Sequence, residues 1–255
     1  MPHGSLEKVD YGLQRILLQL VQLFPTMRNS FSAGQSIQAV SVSSTKLFGA
    51  IACGSYVQVL KIDGDEVLSQ CNLDSNSSGN STFTTTDVAW NFHHAERLAA
   101  STTNGCVVVF HVDCSSSGSA NKSSRRLESL DEASRAVHKV SWHPQEPDIL
   151  ASACQDGTVK IFDMRQPAQA QTLSSRADAT RDVQFDPFHS HVLGAVYENG
   201  SLCLWDRRKP LSEDKVQTTW LKLAAHTNSS LAIAWCPNRE WVLATGSRCL
   251  HYFWH

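Results

Sequence analysis

The sequence predicts an all-β fold, a β-propeller of about five blades, and three observations carry that expectation. Short apolar segments alternate with period two, as half-buried strands do. Pro, Asp-Gly and Asn-Gly break them at regular places. The same strand triplet then returns five times in register. The clearest copy is 137–165, VHKVSWHPQEPDILASACQDGTVKIFDMR. Its segments Val137–Trp142, Ile149–Ala153 and Thr158–Phe162 read as three antiparallel strands joined by tight turns. A single triplet cannot bury its own faces, so recurrence is what makes a fold of it.

The second clear copy is 180–207, where Phe185-Asp186-Pro187 stands for Trp142-His143-Pro144. There Glu198-Asn199-Gly200 replaces Gln155-Asp156-Gly157, and Leu204-Trp205-Asp206 replaces Ile161-Phe162-Asp163. Residues 87–113 and 231–255 supply further copies, and 37–63 a weaker one. The anchors Val42, Trp90, Trp142, Phe185 and Trp235 follow one another at spacings of 48, 52, 43 and 50 residues. With four short strands per unit, these spacings place blades near 36–73, 84–130, 136–173, 179–223 and 225–255. The aromatic positions Phe110, Phe162 and Trp205, with Asp163 and Asp206, close the third strands. The outer strands are expected at Val67–Leu73, Gln169–Leu173 and Val216–Leu223. Asn104-Gly105 reads as a type I′ turn. The polar tracts 75–81 and 115–126 read as loop inserts. The last blade has three strands and no residues left for a fourth.

Residues 1–35 stand outside the repeat. Leu13, Ile16, Leu17, Leu20, Val21 and Phe24 follow i, i+3, i+4 spacing, which predicts one amphipathic helix ended by Pro25. Capping of one propeller edge is the expectation, and binding of a partner the alternative.

The 255 residues carry a formal net charge of −2 and are 42% apolar. That balance argues against a general nucleic-acid or membrane-surface binder. No apolar run is long enough to span a bilayer, so no membrane insertion is expected. The eight cysteines form no C-x-x-C pair, and most fall inside strand patterns, where a reduced thiol acts as a small core group. A reducing compartment follows. His93-His94 and His189-Ser190-His191 read as loop histidines rather than metal ligands, since no further ligands stand at fixed spacing. Arg207-Arg208-Lys209 reads as a cationic surface turn. No phosphate loop or nucleophile motif is present, so neither catalysis nor a cofactor is expected.

Propeller blades of the WD-repeat type are often tied by a His, a Ser or Thr, a turn Asp and a Trp. Here that set is thin. His226 lies nine residues before Trp235, with Thr245 and Trp254 as candidate partners. Ala133 and Arg176 occupy the matching position in blades three and four. Asp156 retains the turn acid, and Asn104 and Asn199 replace it. Apolar packing is therefore expected to hold the blades more than polar networks do.

In order, TTTDVAWNFHHAERLAASTTNGCVVVFHVD, VHKVSWHP, LASACQDGTVKIFDMR, RDVQFDPF, VYENGSLCLWDRRKP and AAHTNSSLAIAWCPNREWVLATGSR resemble the WD repeat-containing protein 24 family. This is the Sea-two-type subunit of the SEA complex, or GATOR subcomplex two. The resemblance covers roughly 36–254 and is most specific at Arg181–Phe185, Glu198–Gly200 and Leu204–Arg208. It implies a non-catalytic scaffold among Mio-type, Seh-type and Sec-thirteen-type propeller subunits. It further implies a cytoplasmic assembly recruited to the lysosomal or vacuolar membrane, which promotes target-of-rapamycin complex signalling when amino acids are available and restrains autophagy. Family members continue into a helical solenoid and a zinc-binding module. The chain is therefore expected to be an N-terminal portion of a longer protein, with an incomplete ring. A generic WD-repeat adaptor, such as a ubiquitin-ligase substrate receptor, is the alternative.

Overall fold

The computed structural model describes residues 35–63, 66–74, 83–113, 125–131, 135–168, 170–174, 178–208, 216–217, 221–247 and 253–254. The expected helix at 13–24, the tract 75–81, and Ala133 and Arg176 lie outside the described residues. Within them the chain contains strands and no helix.

Blade one is a meander of β1 (Ile37–Val42), β2 (Phe48–Cys53), β3 (Tyr56–Asp63) and β4 (Glu66–Asp74). Blade two is β5 (Thr85–Trp90), β6 (Arg97–Thr102), β7 (Cys106–His111) and β8 (Arg125–Asp131). Blade three is β9 (Val137–Trp142), β10 (Ile149–Cys154), β11 (Thr158–Asp163) and β12 (Gln171–Ser174). Blade four begins with β13 (Thr180–Phe185), β14 (Val192–Tyr197) and β15 (Ser201–Asp206). The chain then adds β16 (Val216–Gln217) to the outer edge of β12, in parallel, before returning as β17 (Leu221–Ala224) beside β15. Blade five is β18 (Ser230–Trp235), β19 (Leu243–Ser247) and β20 (Phe253–Trp254).

Two expectations are corrected here. Val216–Leu223 is not one outer strand: its first two residues extend the sheet of blade three, and only the end serves blade four. Arg125 and Arg126 belong to β8 rather than to the insert before it. Alternation could not locate this boundary, because the strand starts on two cations.

The register explains why the anchors recur. Trp90, Trp142, Phe185 and Trp235 each lie opposite a leucine of the second strand: Leu98, Leu150, Leu193 and Leu243. Leu98, Leu150 and Leu193 in turn oppose Phe110, Phe162 and Trp205. A transverse row of three large side chains thus crosses each of blades two to four. The second strands β2, β10 and β14 are buried at every position, so they read as continuous apolar runs rather than alternations. They also favour small residues. A Cβ on Gly194 would meet Ile233 Cδ1 at 2.6 Å.

First strands β1, β5, β9, β13 and β18 pack side by side in that order, which sets the blades about one axis. Each contains a one-residue bulge near its start, at Gln38, Thr86, His138, Arg181 and Leu231. A bulge at one place in every blade adds local twist, which a radial stack needs. Each seam between neighbouring blades has its own apolar core. Between blades three and four, for example, Ile149, Ala151, Ile161 and Leu173 meet Val183, Phe185, Leu193 and Trp205. Among the described residues the five sheets are not closed into a ring.

The tight turns between second and third strands share one geometry. Gly105, Gly157 and Gly200 have φ of 91°, 86° and 81°, and each donates its N–H to the carbonyl three residues earlier. Asn104 does not have a positive φ, so this is not a type I′ turn. The loop has three residues ending on a left-handed glycine, which forms a bulge with the next strand. Only the glycine needs the left-handed region.

Candidate functional site

The sequence-derived anchors are core residues in this structure. Trp90, Trp142, Phe185, Trp235, Phe110, Phe162 and Trp205 are all buried. Their polar atoms bind in two ways. Trp142 Nε1 donates to Ala89 O of the preceding blade at 3.0 Å, and Trp235 Nε1 to Gln184 O at 3.1 Å. Trp90 Nε1 instead reaches Ala95 O in its own loop. Trp205 Nε1 is buried without an acceptor, and the adjacent strand carries Ala195 at the position that Thr245 holds in blade five.

His226 Nε2 lies 2.9 Å from Thr245 Oγ1, while His226 N donates to Gly200 O across the seam. By register Trp254 opposes Ala244, one position short of where Trp205 opposes Leu193. Asp156 Oδ1 accepts from the Thr158 amide and hydroxyl. Against the penalty of burial, those bonds hold its carboxyl below the usual carboxylate range. Asn199 does the same for Ser201. Asp163 and Asp206 pair with Arg165 and Arg208, two residues on. Arg208 draws the Asp206 carboxyl down to about 2.

Polar contacts between blades are more extensive than expected. On the first strands, Lys139 Nζ and Val140 N donate to the two oxygens of buried Asp87, at 2.8 and 3.1 Å. Burial still pushes the Asp87 carboxyl above the usual range, with Lys139 opposing the shift. Asp182 Oδ2 accepts from Ile233 N at 3.0 Å. Gln184 Oε1 accepts from Trp235 N. These residues sit at the same repeat positions, three or one before the anchor. That periodicity was the signal available in the sequence.

The loops that follow the anchors gather at one end of the stack and are joined to one another. Arg97 Nη1 meets Asp148 Oδ1 at 2.6 Å. Arg207 meets Glu146 at 2.8 Å and lies 5.9 Å over the Phe185 ring. Arg207 is therefore a bridge between blades four and three, not a loose surface cation. His189 pairs with Asp186 and stacks on Trp241 of blade five, with ring centroids 4.0 Å apart. The same loops expose Leu47, Phe92, Phe188 and Trp241, in blades one, two, four and five. Trp241 has φ of 60°, a strained value for a bulky residue, and it is 45% exposed. Loop aromatics at these places carry no pattern that marks them as surface in a sequence.

At the opposite end, Arg135, Gln155, Asp156, Asp178, Ala179 and Glu198 line an open cleft between blades three and four. Among the described residues no three His, Cys, Asp or Glu side chains converge as a metal set. Cys53, Cys71, Cys154 and Cys203 are buried, and burial pushes the Cys53 thiol up.

Four-stranded meanders set radially, with Asp-Gly-type turns and closing Phe-Asp or Trp-Asp pairs, define a WD-repeat β-propeller protein. A family model described as "WD domain, G-beta repeat" matches residues 124–163. A chain in a crystal structure of the mitotic checkpoint complex superposes with a TM-score of 0.67 at 17% identity. That superposition covers 96% of this chain and 65% of the other, and it shows the fold alone. Among curated proteins, GATOR2 complex protein Wdr24 of Drosophila melanogaster is 37% identical over 199 residues, 78% of this chain. GATOR2 complex protein WDR24 is 30% identical over 144 residues in Homo sapiens and 30% over 147 in Dictyostelium discoideum, 56% and 55% of this chain. The chain belongs to the WD repeat-containing protein 24 family. It spans 24% of the length of the fly relative and 18% and 14% of the other two.

Proposed function

We propose that this chain is a non-catalytic WD-repeat scaffold of a GATOR2-type complex. In that role it supports target-of-rapamycin complex signalling when amino acids are available, restrains autophagy, and acts at the lysosomal or vacuolar membrane. The observation that carries the reading is the 37% identity to a GATOR2 complex protein across most of the propeller. The loop end supports it. Phe92, Phe188 and Trp241 expose apolar area on a belt made rigid by ion pairs, and an interaction surface consists of such patches.

Affinity purification of the tagged chain from its own cells, followed by mass spectrometry, tests the reading. Mio-type, Seh-type and Sec-thirteen-type propeller subunits are the expected co-purifying proteins. Cullin adaptors in their place would overturn it in favour of a ubiquitin-ligase receptor. Phe92→Ala and Trp241→Gly address the surface. Each should weaken capture of those subunits; Phe92→Ala should shift stability by no more than about 0.5 kcal/mol, as exposed substitutions do, whereas Trp241→Gly gives up the stack on His189, worth about 0.5–1.5 kcal/mol. Trp241→Gly also places a residue that tolerates φ of 60°.

A further inference from the structure

The residue after each anchor closes its own loop in blades two, three and four, with three different side chains, and in two of them it also binds the next blade. In blade two, Asn91 Oδ1 accepts the His93 and His94 amides, each at 2.9 Å, and Nδ2 donates to Pro147 O of blade three at 2.8 Å. In blade three, His143 Nδ1 accepts the Gln145 and Glu146 amides at 3.0 and 2.8 Å, and Nε2 donates to Ser190 O of blade four at 2.7 Å. In blade four, Asp186 Oδ1 accepts the Phe188 and His189 amides, and Oδ2 meets His189 Nδ1 at 3.1 Å. Each side chain closes its own loop. Asn91 and His143 also clasp the next blade.

The hydrogen-bond partners of His143 are backbone groups, with the Glu146 carboxylate 3.4 Å from Nε2, on the side that already carries a proton, so the protonation state of the ring is set by the backbone. An amide N–H can only donate, and a carbonyl can only accept. Nδ1 must therefore be bare and Nε2 must carry the proton. A second proton would have to sit on Nδ1, facing two N–H donors. Both bonds would be lost. The ring is 1% exposed and packed 4.6 Å from Phe185, which leaves no water to replace them. The loop it closes touches both neighbouring blades. Pro144 O meets His93 Nε2, Pro147 O accepts from Asn91, and Asp148 pairs with Arg97 on one side. Gln145 Nε2 donates to Pro187 O, and Glu146 pairs with Arg207, on the other.

We propose that His143 is an acid-sensitive clasp: its protonation opens the 143–148 loop and loosens the seams of blade three with blades two and four. Asn91 performs the same bonding without a titratable group, so the seam responds to acid at blade three in particular. The charged and titratable groups facing the ring are Glu146 of its own loop, Arg207 of blade four and His93 of blade two. Burial is the largest influence and favours the neutral ring, Arg207 and His93 act the same way, and the bond to Ser190 O and the charge of Glu146 oppose them. Its folded value is thereby lowered. A lowered value means that the unfolded chain binds the proton more readily. The clasp is therefore at full strength above the ordinary histidine value of about 6.5, weakens as the pH falls below it, and is lost as the pH passes through the lowered folded value.

Amide hydrogen exchange of the 255-residue chain, corrected for intrinsic rates, tests this between about pH 7.5 and about pH 5. The native chain should lose protection several-fold at Gln145 and Glu146. His143→Asn, which installs the bonding of Asn91, should remove that loss. His93 and His189 remain in the variant, so the difference reads His143 alone. Unchanged protection in the native chain, or an equal loss in the variant, overturns the proposal. Should His143→Asn fail to fold, imidazole ¹⁵N shifts of the native chain decide. Protonation of His143 in step with the exchange at Gln145 and Glu146 supports the clasp, and protonation without it overturns the clasp.

Discussion

Trp142 and Trp205 are both fully packed, yet they differ in one atom's surroundings. Truncating either to alanine removes a ring from a filled seam, and the cavity cannot collapse between two sheets. A loss of about 3–5 kcal/mol is expected for each, read as a shift in the denaturant midpoint. Replacement by phenylalanine separates them. Trp142→Phe gives up the hydrogen bond to Ala89 O, whereas Trp205→Phe removes an indole N–H that already lacks an acceptor. Trp142→Phe should therefore cost about 1 kcal/mol more than Trp205→Phe in the same denaturation assay. Asp87 is a second case. Its removal leaves the Val140 amide and the Lys139 ammonium without their acceptor between two first strands. Asp87→Ala should destabilise by about 1–3 kcal/mol, even though burial makes the charge itself costly.

At the scale of the element, the three-residue turns decide where the strands pair. Gly200 has φ of 81°, and its carbonyl accepts from His226 N of blade five. A Cβ there would meet His226 O at 2.1 Å and Asn228 O at 2.7 Å, both backbone atoms that cannot swing aside. Gly200→Ala should cost more than about 1 kcal/mol, in excess of the φ penalty alone, and thermal melting would show it. The excursion that places β16 on β12 acts at this scale too. It ties the outer edge of blade three to the chain of blade four and covers backbone groups that an edge strand would present to other chains.

Across the whole molecule, stability runs through seams in series. Each apolar core belongs to one pair of neighbouring blades, and blades two, three and four are covered on both faces. Blade one carries on its other face a smaller cluster, Ile51, Cys53 and Leu60, flanked by half-buried Ile37, Val40, Tyr56 and Val67. Such a stack behaves as a line of nearest-neighbour contacts. Native-state hydrogen exchange should show β9 and β13 as the slowest first strands and β1 and β18 as faster ones. Equal protection in all five would mean that the line is closed by contacts beyond those described.

The sequence by itself determined the repeat, the first three strands of each blade, the turn positions and the buried aromatic anchors, but not every outer strand. Each of these follows from alternation and punctuation within one copy, which the chain writes locally. Family membership was legible for the same reason, since Arg181–Phe185 and Leu204–Arg208 are each one contiguous stretch of a strand and its end. The tertiary structure alone decided how one copy meets the next. Asp87 finds Lys139, Arg97 finds Asp148 and Arg207 finds Glu146 at separations of 52, 51 and 61 residues. Both bonds by which Asn91 and His143 reach the next blade end on backbone carbonyls, Pro147 O and Ser190 O, which every residue type can supply. Such acceptors leave no trace in a sequence, so only the packing of one sheet on another could reveal them.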